Sequence, residues 1–133
     1  MRTLEEVKDL MYHDRYAVEA TGITIEEIDE EGRAHLRMEI RPHHFNGGGR
    51  VMGGAIFTLA DFAFASTVYA NEMFCTAINC SIEYLSAGNG SFLTAIGYLD
   101  KSGRSILFGG ADVFDETGRM IARMSAQSFR LEL

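Results

Sequence analysis

Gly53-Gly54-Ala55-Ile56-Phe57-Thr58-Leu59-Ala60-Asp61-Phe62-Ala63-Phe64-Ala65-Ser66-Thr67-Val68-Tyr69-Ala70 decides how the chain is read. It is too long and too alanine-rich for a strand. A helix that is apolar all round is normally buried. Its polar side chains are Thr58, Asp61, Ser66 and Thr67. At 100° per residue Asp61 does not share a stripe with Ser66; it sits among Phe57, Phe64, Ala65 and Val68. The stretch therefore predicts a buried central helix carrying one carboxylate, and an unpartnered buried carboxylate is costly. Two readings stand: a carboxyl satisfied by a neighbouring loop or strand, or a carboxylate kept for chemistry.

The segment before the helix, His44-Phe45-Asn46-Gly47-Gly48-Gly49-Arg50-Val51-Met52, favours the second. Five glycines fall between Asn46 and Gly54. Glycine lets backbone amides approach a ligand, and a helix N-terminus presents free N–H groups with a partial positive charge. Those are the requirements of an oxyanion site. The competing readings are a flexible loop and a phosphate cradle. A phosphate loop wants Lys-Ser or Lys-Thr after its last glycine, whereas Ala55-Ile56 follows Gly54. Gly53 and Asp61 are eight residues apart, roughly 12 Å of helical rise. One reacting carbonyl cannot lie about 3 Å from both groups of one chain. If both act on one substrate they belong to different subunits, most simply two copies paired about a two-fold axis.

Outward from this centre, Leu4 to Val18 predicts an amphipathic helix capped by Thr3. Ile23–Ile28 alternates with a blurred register, and Ala34, Leu36, Met38 and Ile40 mark a clean half-buried strand with His35 on its solvent side. After the central helix, strands are expected over Ile78–Tyr84, Ser91–Leu99, Ser105–Phe114 and Arg119–Leu131. Their short connections predict antiparallel neighbours. Gly97, Gly109 and Gly110 mark a bend or a close approach to the helix. The result is an α+β chain, one domain over residues 1–133, with a curved antiparallel sheet of about six strands around one helix and a further N-terminal helix.

Composition narrows the function classes. The chain has 133 residues and a net charge of −7, which argues against a nucleic-acid surface. No run is expected to span a membrane, and Met1-Arg2-Thr3-Leu4-Glu5-Glu6 has no apolar signal core, so a cytoplasmic location is expected. Cys75 and Cys80 are five apart on one expected strand, which points them to opposite faces and argues against a disulfide between them. The four histidines show no metal-ligand spacing, and no metal or organic cofactor is expected. Phe57, Phe62, Phe64, Tyr69, Phe74 and Tyr84 are candidates for core or for an aromatic-lined pocket.

His44-Phe45-Asn46, Gly53-Gly54-Ala55-Ile56 and Thr58-Leu59-Ala60-Asp61 together resemble the signature of PaaI-type acyl-CoA thioesterases of the hotdog fold. The likeness runs from about Ala20 to Leu131. It implies a catalytic Asp61 acting as base or nucleophile, an oxyanion donor in the Gly53 amide, and a polarising role for Asn46. It also implies an acyl-CoA substrate bound across a dimer, with contacts at Met52, Gly54 and Phe57. The family usually places His where this chain has Met52, and a thioether is at best a weak acceptor. Arg50, Lys101 and Arg104 are the candidate partners of the coenzyme A phosphates. Thr76, Ser81, Ser66 and Thr67 are candidates to assist Asp61. A homo-oligomer is expected, a dimer for the site and a tetramer through the free sheet face. The second function class is a non-catalytic acyl-CoA binding module. A hotdog hydratase would need a His paired with the Asp, and none follows Asp61.

Overall fold

The first helix, α1, spans Leu4–Met11 and starts with a reciprocal cap. Thr3 Oγ1 accepts from Glu6 N–H at 3.2 Å, and the Glu6 carboxylate accepts from Thr3 N–H at 2.9 Å. The helix ends seven residues before the expected Val18. Asp14 Oδ1 accepts from Ala17 N–H at 3.0 Å, and this local side-chain bond starts a separate π-helical turn over Tyr16–Ala20. The structure, a computed structural model, describes residues 1–132.

Strand β1 (Ile23–Ile28) pairs antiparallel with β2 (Ala34–Glu39), and a bulge between Ile25 and Glu27 accounts for the blurred alternation. His35 is not simply solvated: its Nε2 lies 2.9 Å from Asp29 Oδ2 in the β1–β2 turn. The central helix α2 spans Gly53–Ala70, with Leu59, Ala60 and Ala63 fully buried. Against expectation, α2 is long and apolar enough to cross a bilayer by composition, with a mean hydropathy of 1.2. Here the sheet covers its apolar surface instead.

The remaining strands are β3 (Phe74–Tyr84), β4 (Phe92–Ser102), β5 (Ile106–Asp115) and β6 (Met120–Leu131). They complete a six-stranded antiparallel sheet in the order β1-β2-β4-β5-β6-β3. The expected α+β arrangement, a curved sheet around one helix, is therefore present. One detail of connectivity differs. The Gly88-Asn89-Gly90 segment is not a hairpin turn, because β3 pairs with β6 and β4 pairs with β2 and β5. Helix α2 is inserted between β2 and β3, so the chain re-enters the sheet at its far edge.

Glycine marks where helix and sheet touch. A Cβ on Gly97 of β4 would collide with the Ala63 carbonyl and Thr67 Oγ1, and one on Gly109 of β5 would meet the Phe64 ring. Thr67 Oγ1 donates to Ala63 O at 2.9 Å and accepts from Ala34 N–H at 3.0 Å, tying α2 to the start of β2.

The cysteines depart from the expected geometry. A bulge between Ala77 and Asn79 adds one residue to β3, so Cys75 faces Arg130 and Cys80 faces Ala126. Their partners are an even number of residues apart, so both thiols share one face of the sheet. They remain separate thiols. Five residues of strand put them roughly 16 Å apart along the chain, beyond disulfide reach.

Strand β3 is one edge of the sheet, and Thr76 to Asn79 are all exposed along it. Ile78 is 57% exposed. The other edge, β1, is shorter and carries Glu26 and Glu27. Charge protects an edge from pairing with another chain, and a long edge with exposed apolar residues invites it.

Candidate active site at the start and middle of the central helix

The loop before α2 is held by two side chains. Asn46 Oδ1 accepts from Gly48 N–H at 2.9 Å and from Arg50 N–H at 3.1 Å, closing the triple-glycine turn. Gly49 sits at φ 76°, where glycine is favoured. Behind it, the buried His44 accepts at Nδ1 from Arg41 N–H (3.0 Å) and lies 2.8 Å from Thr21 O through Nε2. Nδ1 must be unprotonated to accept, so Nε2 carries the proton and donates to Thr21 O. His44 O then accepts from Met52 N–H at 2.7 Å, which aims the chain into the helix.

Met52 occupies the N-cap position in an extended conformation, and its side chain makes no capping bond. Ala55 and Ile56 N–H both point to Met52 O. Among the described residues, neither Gly53 N–H nor Gly54 N–H has an acceptor. Two free amides at a helix N-terminus are the donors an oxyanion needs. Tyr84, at the end of β3, donates from Oη to Gly53 O at 2.9 Å. A Cβ on Gly53 would lie 3.1 Å from the Tyr84 ring, so close approach by Tyr84 favours glycine there. Clefts flank this helix end on both sides, one lined by Val51, Gly53, Ile56 and Tyr84, the other by Tyr16, His43, Met52 and Gly54.

Asp61 lies two turns further along α2 and is half-buried. No described side chain or backbone group hydrogen-bonds to its carboxylate, so neither loop nor strand satisfies it. Burial pushes its pKa up, and the negative charge of Asp14 adds to the effect. Burial also raises both cysteine thiols, and the Asp61 charge contributes in each case. Asp61 is thus within electrostatic range of β3, the exposed edge.

The other expected residues divide. Phe57, one turn before Asp61, packs half-buried against the core. Arg50 is exposed near the helix start. Lys101 and Arg104 lie at the β4–β5 turn, beside the end of the sheet where β3 begins, whereas Gly53 sits beside Tyr84, where β3 ends. One chain therefore does not gather all three cations. Ser81 pairs with Ser125, and Thr76 pairs with Phe129, on the sheet face away from α2. Ser66 is buried in the core, and Thr67 is engaged with Ala34 and Ala63. None of these four hydroxyls bonds to Asp61. The contributions least visible in the sequence were the anchoring of the Gly53 carbonyl by Tyr84 and the charge of Asp14. Strand alternation, which sets Tyr84 with Cys80 and Ile82, is the one signal that pointed Tyr84 toward the helix.

Residues 48–122, from the loop through α2 to the start of β6, match the family model of the thioesterase superfamily. The chain belongs to the thioesterase superfamily. The free amides and the unpaired carboxylate lie inside the matched segment. A protein of Archaeoglobus fulgidus, provisionally named an esterase, is 37% identical over 84 residues, 63% of this chain and 54% of that protein. The alignment thus spans about half of that relative. The acyl-coenzyme A thioesterase PaaI of Escherichia coli K12 is 29% identical over 122 residues, 91% of this chain and 86% of its own. The solved structure of the E. coli PaaI protein from the phenylacetic acid degradation operon has a TM-score of 0.87 and 26% identity, covering 97% of this chain and 94% of that one. The hotdog fold implied by the resemblance is the fold of this chain. Among the described residues no cluster of three or more His, Cys, Asp or Glu is arranged to hold a metal.

Proposed function

We propose that the protein hydrolyses acyl-CoA thioesters to a free acid and coenzyme A. The observation that carries this is the half-buried Asp61 carboxylate, unpartnered and raised in pKa, on the same helix as two free N-terminal amides. A water oxygen adds to the thioester carbonyl carbon as Asp61 takes the water's proton. The carbonyl oxygen gains the negative charge and is received by Gly53 N–H, with Gly54 N–H beside it. Collapse breaks the C–S bond, and the departing thiolate takes the proton back from Asp61. One water is consumed. Asp61 can instead attack the carbonyl directly, forming an anhydride that water opens. Single turnover in 18O-water identifies the second route when water opens the anhydride at the Asp61 carbonyl carbon, because only then does label enter the Asp61 carboxylate.

The helical rise between Gly53 and Asp61 supports a site shared by two subunits, with the long β3 edge as the pairing surface. A tetramer through the outer sheet face is the further expectation. Arg50 from one subunit, with Lys101 and Arg104 from another, is our proposal for the phosphate contacts. In this reading the Asn46 amide nitrogen faces substrate, its oxygen being used by the loop.

A second reading, acyl-CoA binding without hydrolysis, is favoured by Met52. The N-cap side chain there is a thioether with no capping bond. Thiol release from a panel of acyl-CoAs, by wild type and Asp61→Asn side by side, separates the two. Turnover that collapses in the variant supports hydrolysis. Saturable binding by wild type with no thiol released supports the second reading.

A further inference from the structure

Gly53 and Gly54 are the first two residues of α2, and they begin it weakly. Glycine has the greatest backbone freedom of any residue, and the N-cap Met52 supplies no side-chain bond. Helix ends of this kind fray. Two hydroxyls from beyond this turn hold it. Tyr84 Oη donates to Gly53 O at 2.9 Å, and Thr58 Oγ1 donates to Gly54 O at 2.8 Å. The Thr58 bond stays within α2, whereas the Tyr84 bond ties the helix start to the sheet. The end of β3 is itself anchored. Tyr84 pairs with Ala122 of β6, and the N–H groups of Leu85 and Ser86 reach Ile121 O at 2.8 and 3.2 Å.

A peptide unit is planar. Gly53 C=O and Gly54 N–H belong to one unit, so a bond that fixes the carbonyl also fixes the direction of the amide. Hydrogen bonding to the carbonyl polarises the unit and strengthens its N–H as a donor. The preceding unit, Met52 C=O with Gly53 N–H, is held by the N–H groups of Ala55 and Ile56. The following unit, held by Thr58, carries the Ala55 N–H, which is already bonded to Met52 O and offers no free donor. Tyr84 thus acts on the one remaining unit with a free amide. We propose that Tyr84 is a positioning residue for the reaction: from β3 it orients and polarises the Gly53–Gly54 peptide, so that Gly54 N–H serves as the second oxyanion donor. The proposal rests on the hydrolytic reading above for the identity of the reaction. It requires no contact between Tyr84 and substrate. Partial burial raises the Tyr84 pKa, which keeps the phenol a neutral donor at neutral pH.

The test is Tyr84→Phe, which keeps the ring beside Gly53 and removes only the hydroxyl. With acetyl-, hexanoyl- and benzoyl-CoA, kcat should fall about tenfold while KM stays within about twofold of wild type, a smaller loss than that of a whole oxyanion donor. Urea midpoints should stay close together. In 15N-labelled protein the Gly54 amide resonance should move and its hydrogen exchange quicken, with smaller changes at Gly53. Replacing Tyr84 by 3-fluorotyrosine, a more acidic phenol, should restore kcat to at least the wild-type value at neutral pH. It should then add an alkaline fall as that phenol ionises, which a packing role does not predict. An unchanged kcat in Tyr84→Phe, a loss carried by KM alone, or an unmoved Gly54 resonance overturns the proposal. If wild type releases no thiol from any of the three acyl-CoAs, the hydrolytic reading fails and the Gly54 resonance alone decides. Movement in Tyr84→Phe then supports the hold of Tyr84 on the peptide, and no movement overturns it.

Discussion

Replacing Gly53 by proline removes one hydrogen-bond donor and little else. The Gly53 N–H has no acceptor in the fold, so its loss breaks no structural bond. Proline is well suited to the first position of a helix, where its fixed φ is already helical. The residue before it must be extended, and Met52 is, at φ −61° and ψ 136°. One cost is the new Cβ, 3.1 Å from the Tyr84 ring and hydroxyl; the other is the ring Cδ, which takes the place of the N–H hydrogen and fills part of the oxyanion position. Gly53→Ala carries the same Cβ and keeps the N–H, so the comparison reads the loss of the donor together with the blocking of its position. Losing one oxyanion donor costs about 10²–10³ in kcat, or about 3–4 kcal/mol of transition-state stabilisation. The retained Gly54 amide places the expected loss nearer 10². Thiol release should therefore be about a hundredfold slower in Gly53→Pro than in Gly53→Ala, with urea midpoints of the two variants close together. Equal kcat in the two variants would refute the oxyanion role of this amide.

Three further outcomes follow from the same geometry. Asp61 must be ionised to act, so kcat/KM should rise with pH around an apparent pKa above the ordinary aspartate range, and Asp14→Asn should move that pKa down. Because folding raises the Asp61 pKa, its favourable contribution to stability is present at low pH and is lost as pH rises through the folded value. Asp61→Asn should accordingly raise the urea midpoint at pH 7, with the gain vanishing below about pH 4. His44→Ala should cost about 2–4 kcal/mol by leaving Arg41 N–H and Thr21 O unpaired. Burial, with the neighbouring His43 and Arg41 charges, holds the His44 pKa down. Its stabilising contribution should thus fade in wild type as pH drops below about 6.5; urea unfolding across that range checks both statements. Gly97→Ala should destabilise by about 1–3 kcal/mol, read by urea denaturation, because the Ala63 carbonyl is fixed in α2 and cannot yield.

The central helix was legible because its all-round apolar character leaves burial as the only stable arrangement, and the β2 alternation was legible because one face meets that helix. Three features escaped. Asp14 interrupts α1 through a single side-chain bond that periodicity does not register. The β3 bulge reverses the facing of everything before it, so spacing alone misassigned Cys75 relative to Cys80. The pairing of β3 with β6 is a long-range choice that a short loop such as Gly88-Asn89-Gly90 does not encode. At the site, the free amides and Asp61 were readable from glycines and an isolated charge. The hold of Tyr84 on the Gly53 carbonyl was not, because it joins residues that are 31 apart in the chain.

The central claim, that one site takes its amide from one subunit and its carboxylate from another, is tested most directly by subunit mixing. Gly53→Pro and Asp61→Ala are co-expressed with different affinity tags, and the mixed dimer is isolated through both. A shared site predicts that each mixed dimer holds one site with both defects and one with neither. Thiol release should then recover to roughly half that of wild type, from two nearly inactive parents. Mixed dimers no more active than the better parent would contradict the account and place the amide and the carboxylate of each working site within a single chain.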